Sequence, residues 1–299
     1  MGKLEVNSHK FISRYSFANI HQDKSDFDKA KYVILPVPYD ATTTYKTGTR
    51  EGPLFIINAS FNLEDYDIET KQSLSELDIF TLPEVSPLVS SPQDMIKNLS
   101  GIYQDLLDND KVVLMLGGEH SLSIASVESL SKKKVDFSVV QLDAHADLRD
   151  MYQGSKYSHA CTMRRILEIT SNVFQVGIRS ISSEEYSLVI NNNLPILYIE
   201  DTNEEDKCLK KILSQTKDQV YLTIDLDVLD PSIMPAVGNP VAGGMSYSLL
   251  LFFIREIIKK KRIVGVDITE LCPLEGNSAS SALAAQLVLK ILMYINKFN

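Results

Sequence analysis

Positive charge is the scarcer sign in this 299-residue chain: 30 lysines and arginines stand against 39 aspartates and glutamates, for a formal net charge of −9. That balance argues against the basic footprint of a nucleic-acid surface. It is compatible with a small cationic substrate. Cysteine is also sparse. Cys161, Cys208 and Cys272 are widely spaced with no CxxC pair, so a disulfide framework is not expected. The amino-terminal stretch Met1-Gly2-Lys3-Leu4-Glu5 lacks the apolar core of a signal peptide. No apolar run reaches the roughly 18 residues of a membrane span. The expectation is a cytoplasmic protein with neither nucleic acid nor membrane as partner.

What remains reads as an ordinary globule, 44% hydrophobic and 23% charged, with enough length for an ample core. Short β-branched or apolar runs predict strands near 32–37, 112–116, 138–142, 173–176, 196–199, 220–224 and 263–266. Amphipathic stretches predict helices over 92–108, 121–131, 162–170, 203–216, 246–260 and 280–296. Alternating strands and helices imply an α/β fold in three layers, with a mostly parallel central sheet covered on both faces. No repeat, low-complexity tract or linker divides the chain. One domain over 1–299 is expected, with residues 1–30 an extension packed on it or trailing from it.

The chemistry-bearing residues gather at the ends of the predicted strands. Asp143, His145 and Asp147 follow the apolar run 138–142 at spacing i, i+2, i+4, which in an extended segment aims all three to one side. Asp225 and Asp227 repeat that spacing after 220–224, and His120 follows Gly117-Gly118-Glu119. Any one of them could be a turn former or helix cap. Together, four carboxylates and two imidazoles would repel one another without cations, and they suffice for a two-metal site. Such an oxygen-rich set without cysteine suits manganese, with zinc and iron left open. In a parallel sheet, sites form at the carboxyl ends of strands; Asp267 stands at such an end too. His9 and His21 receive no role.

These segments resemble the ureohydrolases, the arginase/agmatinase family. The resemblance rests on Gly117-Gly118-Glu119-His120-Ser121, Asp143-Ala144-His145-Ala146-Asp147, Ser158-His159-Ala160 and Asp225-Leu226-Asp227-Val228-Leu229-Asp230-Pro231. Pro36-Val37-Pro38-Tyr39-Asp40 with Gly48-Thr49-Arg50-Glu51-Gly52-Pro53 looks like the family's amino-terminal signature, and Gly243-Gly244-Met245-Ser246-Tyr247 and Val266-Asp267-Ile268-Thr269-Glu270 extend the match. The resemblance implies an arginase-like fold, two Mn(2+) ions and a homotrimer or homohexamer. It also implies a ligand set of His120, Asp143, Asp147 and Asp225 for one ion, and His145, Asp143, Asp225 and Asp227 for the other. A metal-bridging hydroxide, oriented by Asp147, would attack the guanidinium carbon. His159 would shuttle a proton to the leaving amine and Glu270 would grip the guanidinium. Ala160 departs from the family's usual glycine, and Thr81-Leu82-Pro83-Glu84 replaces an Asp-Leu-Gly-Asp-like turn, a scaffold matter.

Substrate choice is less sharply written. Arg149 replaces the Asn that arginases place two residues beyond the Asp147 position, and Lys156-Tyr157-Ser158 replaces their Ser-Gly-Asn run. The chain therefore looks most similar to agmatinase, which cleaves agmatine to putrescine and urea in polyamine biosynthesis. Arg149 is expected to point to solvent. Facing the pocket, it would favour a carboxylate tail such as that of 4-guanidinobutyrate, unless Asp150 or another acid neutralised it. Aminopropylagmatine and arginine are further alternatives. A catalytically silent metal-binding regulatory homologue is the remote one, disfavoured by the presence of every ligand together with His159 and Glu270.

Overall fold

The computed structural model describes residues 16–20, 22 and 24–299; His9 and His21 lie outside them. In chain order the elements are α1 (Lys24–Lys29), β1 (Tyr32–Val37), α2 (Gly52–Ser60), β2 (Tyr66–Asp67), β3 (Gln72–Ser73), β4 (Ile79–Thr81), α3 (Pro92–Asp108), β5 (Val112–Gly117), α4 (Ser123–Lys132) and β6 (Phe137–Leu142). They continue with α5 (Thr162–Ile169), β7 (Val173–Ile178), α6 (Ser183–Asn192), β8 (Ile196–Tyr198), α7 (Glu205–Gln215), β9 (Gln219–Asp225), α8 (Tyr247–Lys260), β10 (Arg262–Thr269) and α9 (Ala279–Phe298).

Eight strands form one sheet in the order β4-β1-β5-β10-β9-β6-β7-β8, and every pairing in it is parallel. A parallel sheet is buried on both faces, which is why these strands read as unbroken apolar runs. Alternation divides their side chains between two cores. Ile34, Leu114, Leu116, Leu222 and Ile224 pack with residues of α2, α8 and α9. Val33, Leu35, Val113, Met115 and Val139 pack on the other side with residues of α3, α4 and α5. The result is the expected three-layer arrangement, with the sheet parallel throughout rather than mostly so.

The predicted elements are present, with β10 running on to Thr269. Six others, α1, α2, β2, β3, β4 and α6, are not among those expected from the sequence. Edge strand β4 has only three residues, too few for a period. Helix α2 buries Ile56 and Ile57 and opens on Pro53 in its first turn, while the capping box of Ser182 and Glu185 marks the start of α6. Within the segment read as an extension, Phe17 is fully buried and its N–H donates to Thr81 Oγ1 at 3.0 Å. Thr81 ends β4, so the 81–84 departure belongs to the scaffold. The expectation of no span-length apolar segment needs one correction. Helix α9 is long and apolar enough to cross a membrane, but Leu287, Val288, Ile291 and Tyr294 are fully buried in the protein core. All three cysteines are buried and unpaired.

Candidate metal centre

The carboxyl ends of β5, β6, β9 and β10 are adjacent in the sheet, and each delivers part of one cluster. Leaving β5, the chain turns through Gly117 and Gly118 beside the neighbouring loop. A Cβ on Gly118 would lie 2.1 Å from the Tyr39 carbonyl oxygen, so only glycine lets the turn close. His120 follows in a single helical turn. Asp143 comes directly after β6, Asp225 ends β9 and Glu270 comes directly after β10. Asp147 and Glu270 both have φ in the left-handed region, 54° and 68°. Such conformations are costly for residues other than glycine and collect at functional sites.

His120 Nδ1 is 3.0 Å from Asp143 Oδ2, 3.0 Å from Asp147 Oδ2 and 3.6 Å from Asp225 Oδ2. His145 Nδ1 is 2.8 Å from Asp227 Oδ2 and 3.8 Å from Asp143 Oδ1. Two groups of donor atoms are thus close enough to share an ion each: His120, Asp143 and Asp147; and Asp143, His145 and Asp227. Asp143 belongs to both. Asp225, the other expected bridge, lies beside this cluster but outside either group.

The donor set fits divalent cations on two grounds. First, His120 Nδ1 is buried and forms no hydrogen bond although carboxylate oxygens surround it. Thr223 Oγ1 donates to Asp267 Oδ1 at 2.7 Å, so its oxygen accepts from His120 Nε2 at 2.8 Å. That places the ring proton on Nε2 and turns the bare Nδ1 lone pair toward the carboxylates, as a metal-binding imidazole requires. Second, burial raises the Asp143 carboxyl to about 7, aided by the charges of Asp227 and Asp147. Burial followed by the charges of Asp227 and Asp143 raises Asp225 well above the usual range. The positive charge near these groups does not offset their burial and mutual repulsion, and a bound cation would.

Above the cluster opens a cavity of about 210 Å³ lined by His120, His145, Asp147, Asp225 and Asp227, with His159 and Glu270 on its walls. Asp143 lies beneath, fully buried. Glu270 Oε1 accepts the His120 N–H at 2.8 Å, and burial raises its carboxyl to about 8. The His159 pKa is lowered, chiefly by burial.

Arg149 corrects the expectation of a solvent-pointing side chain. It lines the cavity and stacks over the Tyr152 ring, 4.9 Å from its centroid. Its Nε lies 4.0 Å from Glu185 Oε2. Asp150 is engaged elsewhere, accepting from Arg165 at 2.7 Å, so Glu185 is the acid beside Arg149.

Several residues that hold the site were missed. Gln141 donates to Asp143 Oδ2 at 2.6 Å and is itself held by Gln175. Thr223 supports His120, and Asn239 Nδ2 lies 3.1 Å from His145 Nε2. Gln141 and Thr223 are polar residues inside buried strand runs, and that is the signal by which they could have been found: a buried polar group needs a partner.

A family model described as the arginase family matches residues 30–294. The chain belongs to the arginase family. It is 34% identical over 277 residues to an N(1)-aminopropylagmatine ureohydrolase of Synechocystis sp., covering 90% of each chain. An agmatinase of Pyrococcus horikoshii is 34% identical over 269 residues, 89% of this chain and 93% of that one. In structure, the agmatine ureohydrolase of Thermoplasma volcanium superposes with a TM-score of 0.85 at 29% identity, covering 97% of both chains. With these relatives this arginase-family chain is an agmatinase-like ureohydrolase, and the expected fold is the one observed.

Proposed function

We propose that the chain hydrolyses the guanidinium group of agmatine to urea and putrescine, with two manganese ions held by His120, Asp143, His145, Asp147, Asp225 and Asp227. The observation that carries this reading is the convergence of those six donors beneath one cavity that also presents Glu270 and His159. In this reading one ion takes His120, Asp143, Asp147 and Asp225, and the other His145, Asp143, Asp225 and Asp227. Such ions, when bound, supply hydroxide near neutral pH by lowering the pKa of water. Asp147 would orient the attacking water at the guanidinium carbon. Glu270 receives the guanidinium through paired charge-assisted hydrogen bonds, with Oε1 already anchored by the His120 N–H. As the C–N bond breaks, His159 gives its proton to the departing amine. The burial that lowers its pKa makes the protonated ring a readier acid.

The amine tail runs toward Arg149, whose charge Glu185 offsets, so a cationic tail is not repelled there. N(1)-aminopropylagmatine is a second reading, favoured by the name of the Synechocystis relative. The test is urea release from manganese-loaded protein given agmatine, N(1)-aminopropylagmatine, arginine and 4-guanidinobutyrate separately. Preference for an amine-tailed guanidine is expected. Preference for 4-guanidinobutyrate would assign Arg149 to a carboxylate tail, and preference for arginine would overturn the amine-tail reading. No urea from any of them would indicate a silent homologue.

A further inference from the structure

One buried acid beside the cavity has no part in the chemistry above. Glu119, between Gly118 and His120, is fully buried. Its carboxylate is held by the loop that follows β1: Oε2 accepts the Thr42 N–H at 2.6 Å and Oε1 accepts the Thr42 hydroxyl at 2.8 Å. The Ser121 hydroxyl also donates to Oε1.

A threonine hydroxyl has one proton to give. With that proton directed to Glu119, Thr42 Oγ1 acts toward its other neighbours as an acceptor. One neighbour is the His159 backbone N–H, which donates to it at 2.9 Å. The other is His159 Nδ1, 3.3 Å away. Nδ1 can bond that oxygen only when it carries a proton, so the neutral ring is selected in its Nδ1–H tautomer. Nε2 is then the nitrogen that exchanges protons. Ser158 Oγ lies 3.5 Å from Nδ1, at the limit of a hydrogen bond. The Tyr152 ring meets His159 edge-on, with centroids 6.4 Å apart and planes at 88°, which restricts its swing.

We propose that Thr42 and Glu119 are positioning residues for His159, fixing its tautomer and ring direction so that Nε2 serves the leaving amine. Three loops meet in this relay: residue 42 follows β1, residue 119 follows β5 and residue 159 follows β6. The inference rests on the reading of His159 as proton donor, so its test must separate the two.

The decisive experiment compares manganese-loaded, full-length protein as parent, Thr42→Val, Thr42→Ser, His159→Asn and the Thr42→Val/His159→Asn double variant. Agmatine is the substrate and bound ions are counted in each. Thr42→Val is expected to lower kcat by about 10- to 100-fold, the scale on which partners that orient functional histidines act. KM should stay within about twofold of the parent, ion content should be unchanged, and Thr42→Ser should restore turnover. In the His159→Asn background Thr42→Val should cost nothing further, because a residue acting through His159 has nothing left to position. An equal loss in both backgrounds, or no loss in the parent, would overturn the relay while leaving His159 its role. Unchanged turnover in His159→Asn alone would overturn both.

Discussion

Two clusters of acids in this molecule are satisfied in opposite ways. On the face covered by α8 and α9, Asp67 and Glu69 meet Lys290, and Glu69 also accepts from Arg255 and Tyr294. Burial alone would raise Glu69, but hydrogen bonds from Lys290, Tyr294 and Arg255 hold it at about 2. At the carboxyl end of the sheet no lysine or arginine forms an ion pair with Asp143, Asp147, Asp225 or Asp227 among the described residues; the side-chain nitrogens beside them are those of His120 and His145. Asp143 and Asp225 are driven up instead. Asp227 is the exception: burial would raise it, but the His145 charge and hydrogen bond bring it to about 2. An acid cluster closed by the protein's own cations is part of the scaffold. One that holds two imidazoles and no lysine or arginine ion pair is built for an external cation.

Substitutions can break that contrast. The largest effect is expected from Asp143→Asn or Asp225→Asn, which should impair both ions and take urea release to background, while Asp227→Asn should mainly weaken one ion; metal analysis beside the urea assay checks this. Next comes His159→Asn, expected to retain its ions and slow turnover by about 10²- to 10⁴-fold, the usual worth of a general acid. Glu185→Gln is smaller: it leaves Arg149 uncompensated at the cavity wall. The KM for agmatine should rise by up to about tenfold, equivalent to about 1.4 kcal/mol, and that for 4-guanidinobutyrate should not. Equal changes for both substrates would remove Arg149 and Glu185 from tail selection.

The smallest effect belongs to the paired cluster. Glu69→Gln should cost about 1 kcal/mol or less, since Glu69 is partly exposed and solvent screens its pairs. Its folded pKa lies below the ordinary value of 4.5, so its contribution is present above that value and is lost as pH falls toward about 2. Denaturant unfolding should therefore find the parent's advantage over Glu69→Gln shrinking with acidification from pH 4.5 downward. An advantage that grows instead would contradict the pairing.

The strands were legible because a parallel sheet buries both faces and leaves continuous apolar runs, and the six donors because each follows such a run. Legibility failed where the signal was short or depended on partners distant in sequence. Edge strand β4 takes its form from pairing with β1. Arg149 turns inward because Tyr152 and Glu185 receive it, and Glu185 is 36 positions further along the chain. Thr42 looks like one threonine among three in Thr42-Thr43-Thr44 until folding sets it between Glu119 and His159.

The most direct test is the number of manganese ions retained per chain after exhaustive gel filtration, in the parent and in Asp143→Asn. Two ions in the parent, with both sites weakened by the substitution, is the result expected of an acid cluster built around external cations. A parent that retains none, or an Asp143→Asn chain that keeps both and stays fully active, would contradict it.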